Sequence, residues 1–149
     1  MANVGKWNSP RGVQTVMSTE LNSVTNTSMT QSSSSYDNTV NLDIYVDVEI
    51  NLAAISPGSG AYVALWIEES VDGTNFPAQS ASDLRLTSTQ LLCSIPIGVT
   101  ASTAQRVVAR QVVIPPAKFF INFDNQAGVS LASSGNTVKF LPYNTNLNG

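Results

Sequence analysis

The sequence predicts an all-β protein: a β-sandwich, more narrowly a jelly roll, with an extended N-terminal arm and a short C-terminal tail. Three observations predict it. Apolar and polar residues alternate with a period of two over several stretches, turn formers separate those stretches, and no segment spaces its apolar residues as a helix does. Strands that hide one face and wet the other stack as two sheets around one core. The chain has 149 residues, enough for about one domain. Its composition divides it into an arm and linker (1–38), a sandwich body (39–142) and a tail (143–149).

The arm is broken early by Pro10 and Gly12, and Ser32 to Ser35 form a polyserine run with the composition of a flexible linker. Between them, Gly12 to Met17 reads as a short strand, and Thr19 to Val24 fits no single state. The body opens on the clearest signal in the chain. From Val40 to Ile50 every even position is aliphatic and every odd one is polar or tyrosine, which places Asp43, Asp47 and Glu49 on the wet face of one strand with Tyr45. Ser56 to Gly60 makes a turn. The next strand, Ala61 to Glu69, is apolar on both faces, as suits a central or covered position. Asp72-Gly73 signals a hairpin, because glycine accepts the positive φ of a tight turn. Leu84-Arg85-Leu86 and Gln90 to Ile97 are further strand candidates. Arg106 to Ile114 is β-branched and stops at Pro115-Pro116, Lys118 to Phe123 follows, and Thr137 to Leu141 closes the body before Pro142. The apolar faces around Tyr62, Trp66 and Phe120 are expected to supply core or subunit contacts.

Charged residues make up 11% of the chain, against about 25% in an ordinary soluble domain, so hydroxyls and amides form the polar surface. Three lysines, Lys6, Lys118 and Lys139, are few for protecting sheet edges, and the edges are expected to be covered by other subunits or by loops. Charge is also sorted along the chain. The first 84 residues sum to −7 and the last 65 to +4, so one half answers the other, either inside one sandwich or across copies.

There is no histidine, which removes Ser-His-Asp and Cys-His nucleophiles and imidazole metal ligands. The single cysteine, Cys93, excludes an intrachain disulfide. It lies in an apolar run and is expected to be a buried, inert thiol. Carboxylates are the chemistry that remains. Asp43, Asp47 and Glu49 at about 7 Å spacing could hold an acid–base pair or a calcium ion, but the expected reading is a merely solvated face. No catalytic residue, metal or cofactor is assigned, and the expectation is that the chain is not an enzyme. An acidic total charge without a basic cluster argues against nucleic acid. Arg106 and Arg110, four apart on one strand face, suit salt bridges to the acidic half or to a partner. No stretch reaches the length of a membrane span. The first residues lack the apolar core of a signal peptide, so synthesis in the cytoplasm is expected.

The segments Glu68-Glu69-Ser70-Val71-Asp72-Gly73-Thr74-Asn75-Phe76 and Val112 to Gly128, with Pro115-Pro116-Ala117-Lys118-Phe119-Phe120 at its centre, resemble small virion proteins of tailed bacteriophages. The closing Val138 to Asn144 is similar to their C-terminal strand and tail. The resemblance spans roughly Val40 to Asn148. It implies a capsid decoration or cement β-sandwich on the virion surface, often a homotrimer, whose partners are the major capsid protein and its own copies. It carries over no catalytic residue. A neck, tail or baseplate component is the alternative within that class, and a carbohydrate-binding β-sandwich using exposed aromatics is the alternative outside it. Candidate interface residues are Lys6, Trp7 and Arg11 in the arm, Arg106 and Arg110 in the body, and Tyr143 and Leu147 in a tail able to exchange strands. For Trp7, packing against its own sandwich is the competing reading.

Overall fold

A computed structural model describes residues 6–77 and 89–146. Eleven strands occur among them: β1 (Lys6–Trp7), β2 (Gln14–Met17), β3 (Met29–Gln31), β4 (Tyr36–Asp37), β5 (Tyr45–Ile55), β6 (Tyr62–Ser70), β7 (Thr89–Pro96), β8 (Thr103–Val113), β9 (Lys118–Gln126), β10 (Thr137–Tyr143) and β11 (Thr145–Asn146), with one 3-10 turn at Thr19–Leu21. Two antiparallel sheets pack together as a β-sandwich. One runs β2-β10-β5-β8. The other runs β3-β9-β6-β7, with β4 also paired to β9. The strand candidate at Leu84-Arg85-Leu86 and the interface candidate Leu147 lie outside the described residues.

The period of two explains the core. Val46, Val48, Ile50 and Leu52 of β5 point inward, as do Val63, Leu65 and Ile67 of β6, Phe119, Ile121 and Phe123 of β9, and Val138 and Phe140 of β10; all are buried. Burying each such side chain contributes about 1.5–3 kcal/mol. β6 is central, between β9 and β7, which accounts for its two apolar faces. Its outer face is not the core: Tyr62 is exposed, and Phe120 of β9 packs on Phe76 with ring centroids 4.5 Å apart. Beside Phe120, the register sets Trp66 against Asn122. The Trp66 Nε1 and both amide atoms of Asn122 are buried without a hydrogen-bond partner.

Several boundaries differ from expectation. Residues 14–37 are part of the sandwich rather than an arm and linker: β2 pairs with β10, and β3 and β4 pair with β9. The serine run is pinned. Ser32 Oγ donates to the Ser34 carbonyl at 2.9 Å and accepts from the Ile121 N–H at 3.1 Å. The alternation starting at Val40 is a strand only from Tyr45. Val40, Leu42 and Ile44 are exposed, because the chain turns at Leu42 (φ 50°) and Asn38 brackets Asp43 through its N–H at 2.9 Å and its carbonyl at 2.8 Å. Asp43 therefore leaves the wet face and is 3% exposed. The turn at Asp72–Gly73 is made, with Asp72 Oδ1 accepting the N–H groups of Thr74 and Asn75 at 2.9 and 2.7 Å. Among the described residues, the strand that follows this turn and pairs with β6 is β7. β10 continues through Pro142, which β2 does not reach; the Pro142 carbonyl accepts the Arg11 N–H at 3.1 Å.

Candidate functional site

The outer face of the four-stranded sheet gathers most of the expected interface residues. β1 and β11 pair antiparallel with Trp7 opposite Thr145, and the Asn8 N–H donates to the Asn144 carbonyl at 2.8 Å. This clasp lays Trp7 across the start of β5 and the end of β10. Its ring meets Tyr45 at 5.9 Å and Tyr143 at 5.5 Å, both edge-on, while the two tyrosines stack at 5.9 Å. Trp7 thus packs on its own sandwich and still leaves 58% of its surface exposed. Among the described residues of the tail, β11 is paired with β1.

Asp47 is the polar centre. Its Oδ1 accepts from the Tyr143 hydroxyl at 2.9 Å and the Gln111 N–H at 3.0 Å, and its Oδ2 from Arg110 Nη1 at 3.1 Å. The β5–β8 register slips between Val46 and Val48, so Arg110 and Gln111 together oppose Asp47 in a bulge. Gln111 takes φ 56°, a left-handed conformation costing a non-glycine residue about 1–3 kcal/mol unless its surroundings hold it; the carboxylate at its N–H is what holds it. Burial, then the bond to Asp47, pushes the Tyr143 phenol up to about 12. Trp7, Asn8, Pro10, Gln111 and Leu141 complete a cleft of about 500 Å³ around Asp47, Arg110 and Tyr143. Among the described residues the side-chain amides of Asn8 and Gln111 make no hydrogen bond within the chain.

One step along the strands, Arg106 Nε donates to Glu49 Oε2 at 2.8 Å, and Lys139 Nζ lies 3.7 Å from Glu49 Oε1. Hydrogen bonding from Asn51, then from Arg106, holds the Glu49 carboxyl below its ordinary range. Across the molecule Lys118 faces Asp37 at 3.5 Å. Acidic and basic halves therefore answer each other within one chain, between neighbouring strands.

Arg11 belongs elsewhere. Its Nε donates to Asp43 Oδ2 at 2.7 Å, its Nη2 also binds that oxygen, and Tyr36 Oη accepts from Nη2 at 3.4 Å. The arginine neutralises a buried carboxylate and is not offered to a partner, since losing it would strand that charge at about 3–5 kcal/mol. The set Asp43, Asp47 and Glu49 is thus split between a buried ion pair and two surface ones. Among the described residues no group of three potential ligands is placed to hold a metal ion. Lys6 lies in β1, beside Trp7. Burial pushes the Cys93 thiol up to about 11.

A second surface is the flank where both sheets end. β8 closes one sheet and β7 the other, and the two lie side by side. Among the described residues no strand pairs with the outer edge of β8, and Leu91, Val108 and Val113 are exposed on these strands. Sequence reasoning found Trp7, Arg110 and Tyr143 but missed Gln111, whose role comes from a backbone conformation that no residue pattern announces.

No family model matches the sequence, and no curated protein matches it. A solved structure that is similar in fold is TmCBM61 in complex with β-1,4-galactotriose, at 9% identity, covering 97% of this chain and 88% of that one with a TM-score of 0.32. A likeness this distant says nothing about the function of this chain.

Proposed function

We propose that this chain is a structural virion protein of a tailed bacteriophage, of the capsid decoration or cement kind, acting through surface contacts and not through chemistry. The observation that carries the reading is the β7–β8 flank. An 11-residue strand edge left without a partner among the described residues, with exposed Leu91, Val108 and Val113 and no lysine on either strand, is a surface a solitary β protein protects. Coverage by the major capsid protein or by further copies, as in a homotrimer, removes that liability. The carboxylates of the outer sheet face also favour contact over catalysis, since each is already held by cations or hydroxyls.

The strand order supports the finer reading of the fold. With the separate β1–β11 pair set aside and β3 and β4 taken as one interrupted strand, the two sandwich sheets read first-eighth-third-sixth and second-seventh-fourth-fifth in chain order, a jelly-roll arrangement of two Greek keys, as in capsid and lectin domains.

Mass analysis of purified particles tests the reading. Hundreds of copies per particle are expected for decoration. Six or twelve would move the protein to the neck, tail or baseplate, and absence from particles would end the proposal. Leu91→Lys with Val108→Lys, both exposed, should fold normally and weaken particle association at least about tenfold.

A further inference from the structure

We infer that the Trp7 cleft is a binding site for a neutral saccharide, a function separate from the contacts of the β7–β8 flank. Its size is suited to a small ligand, about 500 Å³ within the usual range for such sites. Two aromatic rings line it, Trp7 and Tyr143, and Trp7 is mostly exposed and held edge-on by Tyr143 and by Tyr45, which supports the indole without lining the cleft. An indole offers the C–H faces of a pyranose a rigid apolar platform at small entropic cost.

The polar rim is planar and in part unspent. The amides of Asn8 and Gln111 each bring a donor pair and an acceptor, and Arg110, 76% exposed in its side chain, uses one of its nitrogens on Asp47. Such groups match adjacent hydroxyls, which donate and accept at once.

Charge selects a neutral ligand. Asp47 is balanced by Arg110 on Oδ2, with Tyr143 and the Gln111 N–H filling both lone pairs of Oδ1. A proline-rich peptide would need a longer groove of parallel aromatic ridges, whereas the aromatic rings here cluster at one spot.

The site is also preorganised. The β1–β11 clasp fixes Trp7, and the carboxylate of Asp47 holds Gln111 in its left-handed conformation. A site ordered in advance loses little entropy on binding.

The test uses the full chain carrying Trp66→Phe, so that Trp7 is the sole indole reporter; Trp66 Nε1 has no hydrogen bond to lose. Neutral trisaccharides of glucose, galactose, mannose and N-acetylglucosamine are titrated separately. At least one is expected to change Trp7 emission with a dissociation constant of about 10 µM to 1 mM. Gln111→Gly, tolerated at a positive φ, should weaken that binding at least about tenfold without lowering the melting temperature. Calorimetry on Trp7→Ala should show a loss of at least about thirtyfold. The assignment is overturned if all four sugars are silent up to about 10 mM, if binding survives Trp7→Ala, or if a proline-rich peptide binds where the sugars do not. Each of these results leaves the flank reading untouched.

Discussion

Among single residues, the buried asparagines show how differently one side chain can be used. Asn125 donates to the carbonyls of Val24 and Val129 at 2.9 Å each and accepts the Ala127 N–H at 3.0 Å. Asn122, equally buried, makes no side-chain hydrogen bond. Replacing a satisfied group strands its partners at about 1–3 kcal/mol each, whereas replacing an unsatisfied one strands nothing. Asn125→Leu is therefore expected to lose more than about 3 kcal/mol, and Asn122→Leu to stay within about 1 kcal/mol of the parent or gain stability. Urea unfolding compares them, and a large loss for Asn122→Leu would refute the contrast. The asparagine content was plain in the sequence; the division of labour among asparagines was not, because it depends on which strand each residue faces. Cys93, expected to be buried, is half-buried, and that partial burial is what raises its thiol.

Strands whose pattern and partners agree were legible from the chain alone. β6, β8 and β9 carry their own apolar rows, and so does β5 from Val46 onward. The shortest elements were not. β3 and β4 are three and two residues long and owe their existence to β9, about ninety residues away, whereas β2 was foretold by the Gly12 to Met17 run. The alternation at Val40 to Ile44 misled for the opposite reason: the pattern continues, but the Asn38 side chain imposes a turn that periodicity does not register.

The crossover through the serine run has a similar hidden tie in Glu20, whose carboxylate accepts the N–H groups of Ser18 and Ser33 at 2.9 Å each. Burial pushes this carboxyl up, but the hydrogen bonds from Ser33 and Ser18 outweigh it and leave it at about 2. A lowered carboxylate contributes stability that is complete above its ordinary value of 4.5 and is lost as pH falls through about 2. Glu20→Gln should therefore flatten the dependence of the urea midpoint on pH between those values. Parallel slopes for variant and parent would show that the tie contributes nothing.

For the molecule as a whole, charge sorting along the sequence was readable, but its meaning was not. Either half could have served a neighbouring copy. The structure spends Arg106, Arg110, Lys118 and Lys139 on Glu49, Asp47 and Asp37 inside one chain. Exposed pairs of this kind contribute about 0–1 kcal/mol each and are screened by salt. Whatever joins copies of the chain should then rest on strand edges and apolar contacts. Raising salt from low to near-molar is expected to leave the oligomer mass unchanged; a mass that falls would relocate the charge pairing to the space between subunits. The cleft was partly legible in the same way. Trp7, Arg110 and Tyr143 stand out by type, but Arg110 and Tyr143 meet only because β8 and β10 flank Asp47 of β5, and Trp7 joins them only through the pairing of β1 with β11.

That closure also sets a timetable. Met17 aligns with Val138, and Thr30 with Phe123, so β2 and β3 leave the ribosome about a hundred residues ahead of the strands they pair with. Until then their backbone amides and the half-built core stand open to other nascent chains, which makes this a slow, late-committing fold in need of protection while it is being made.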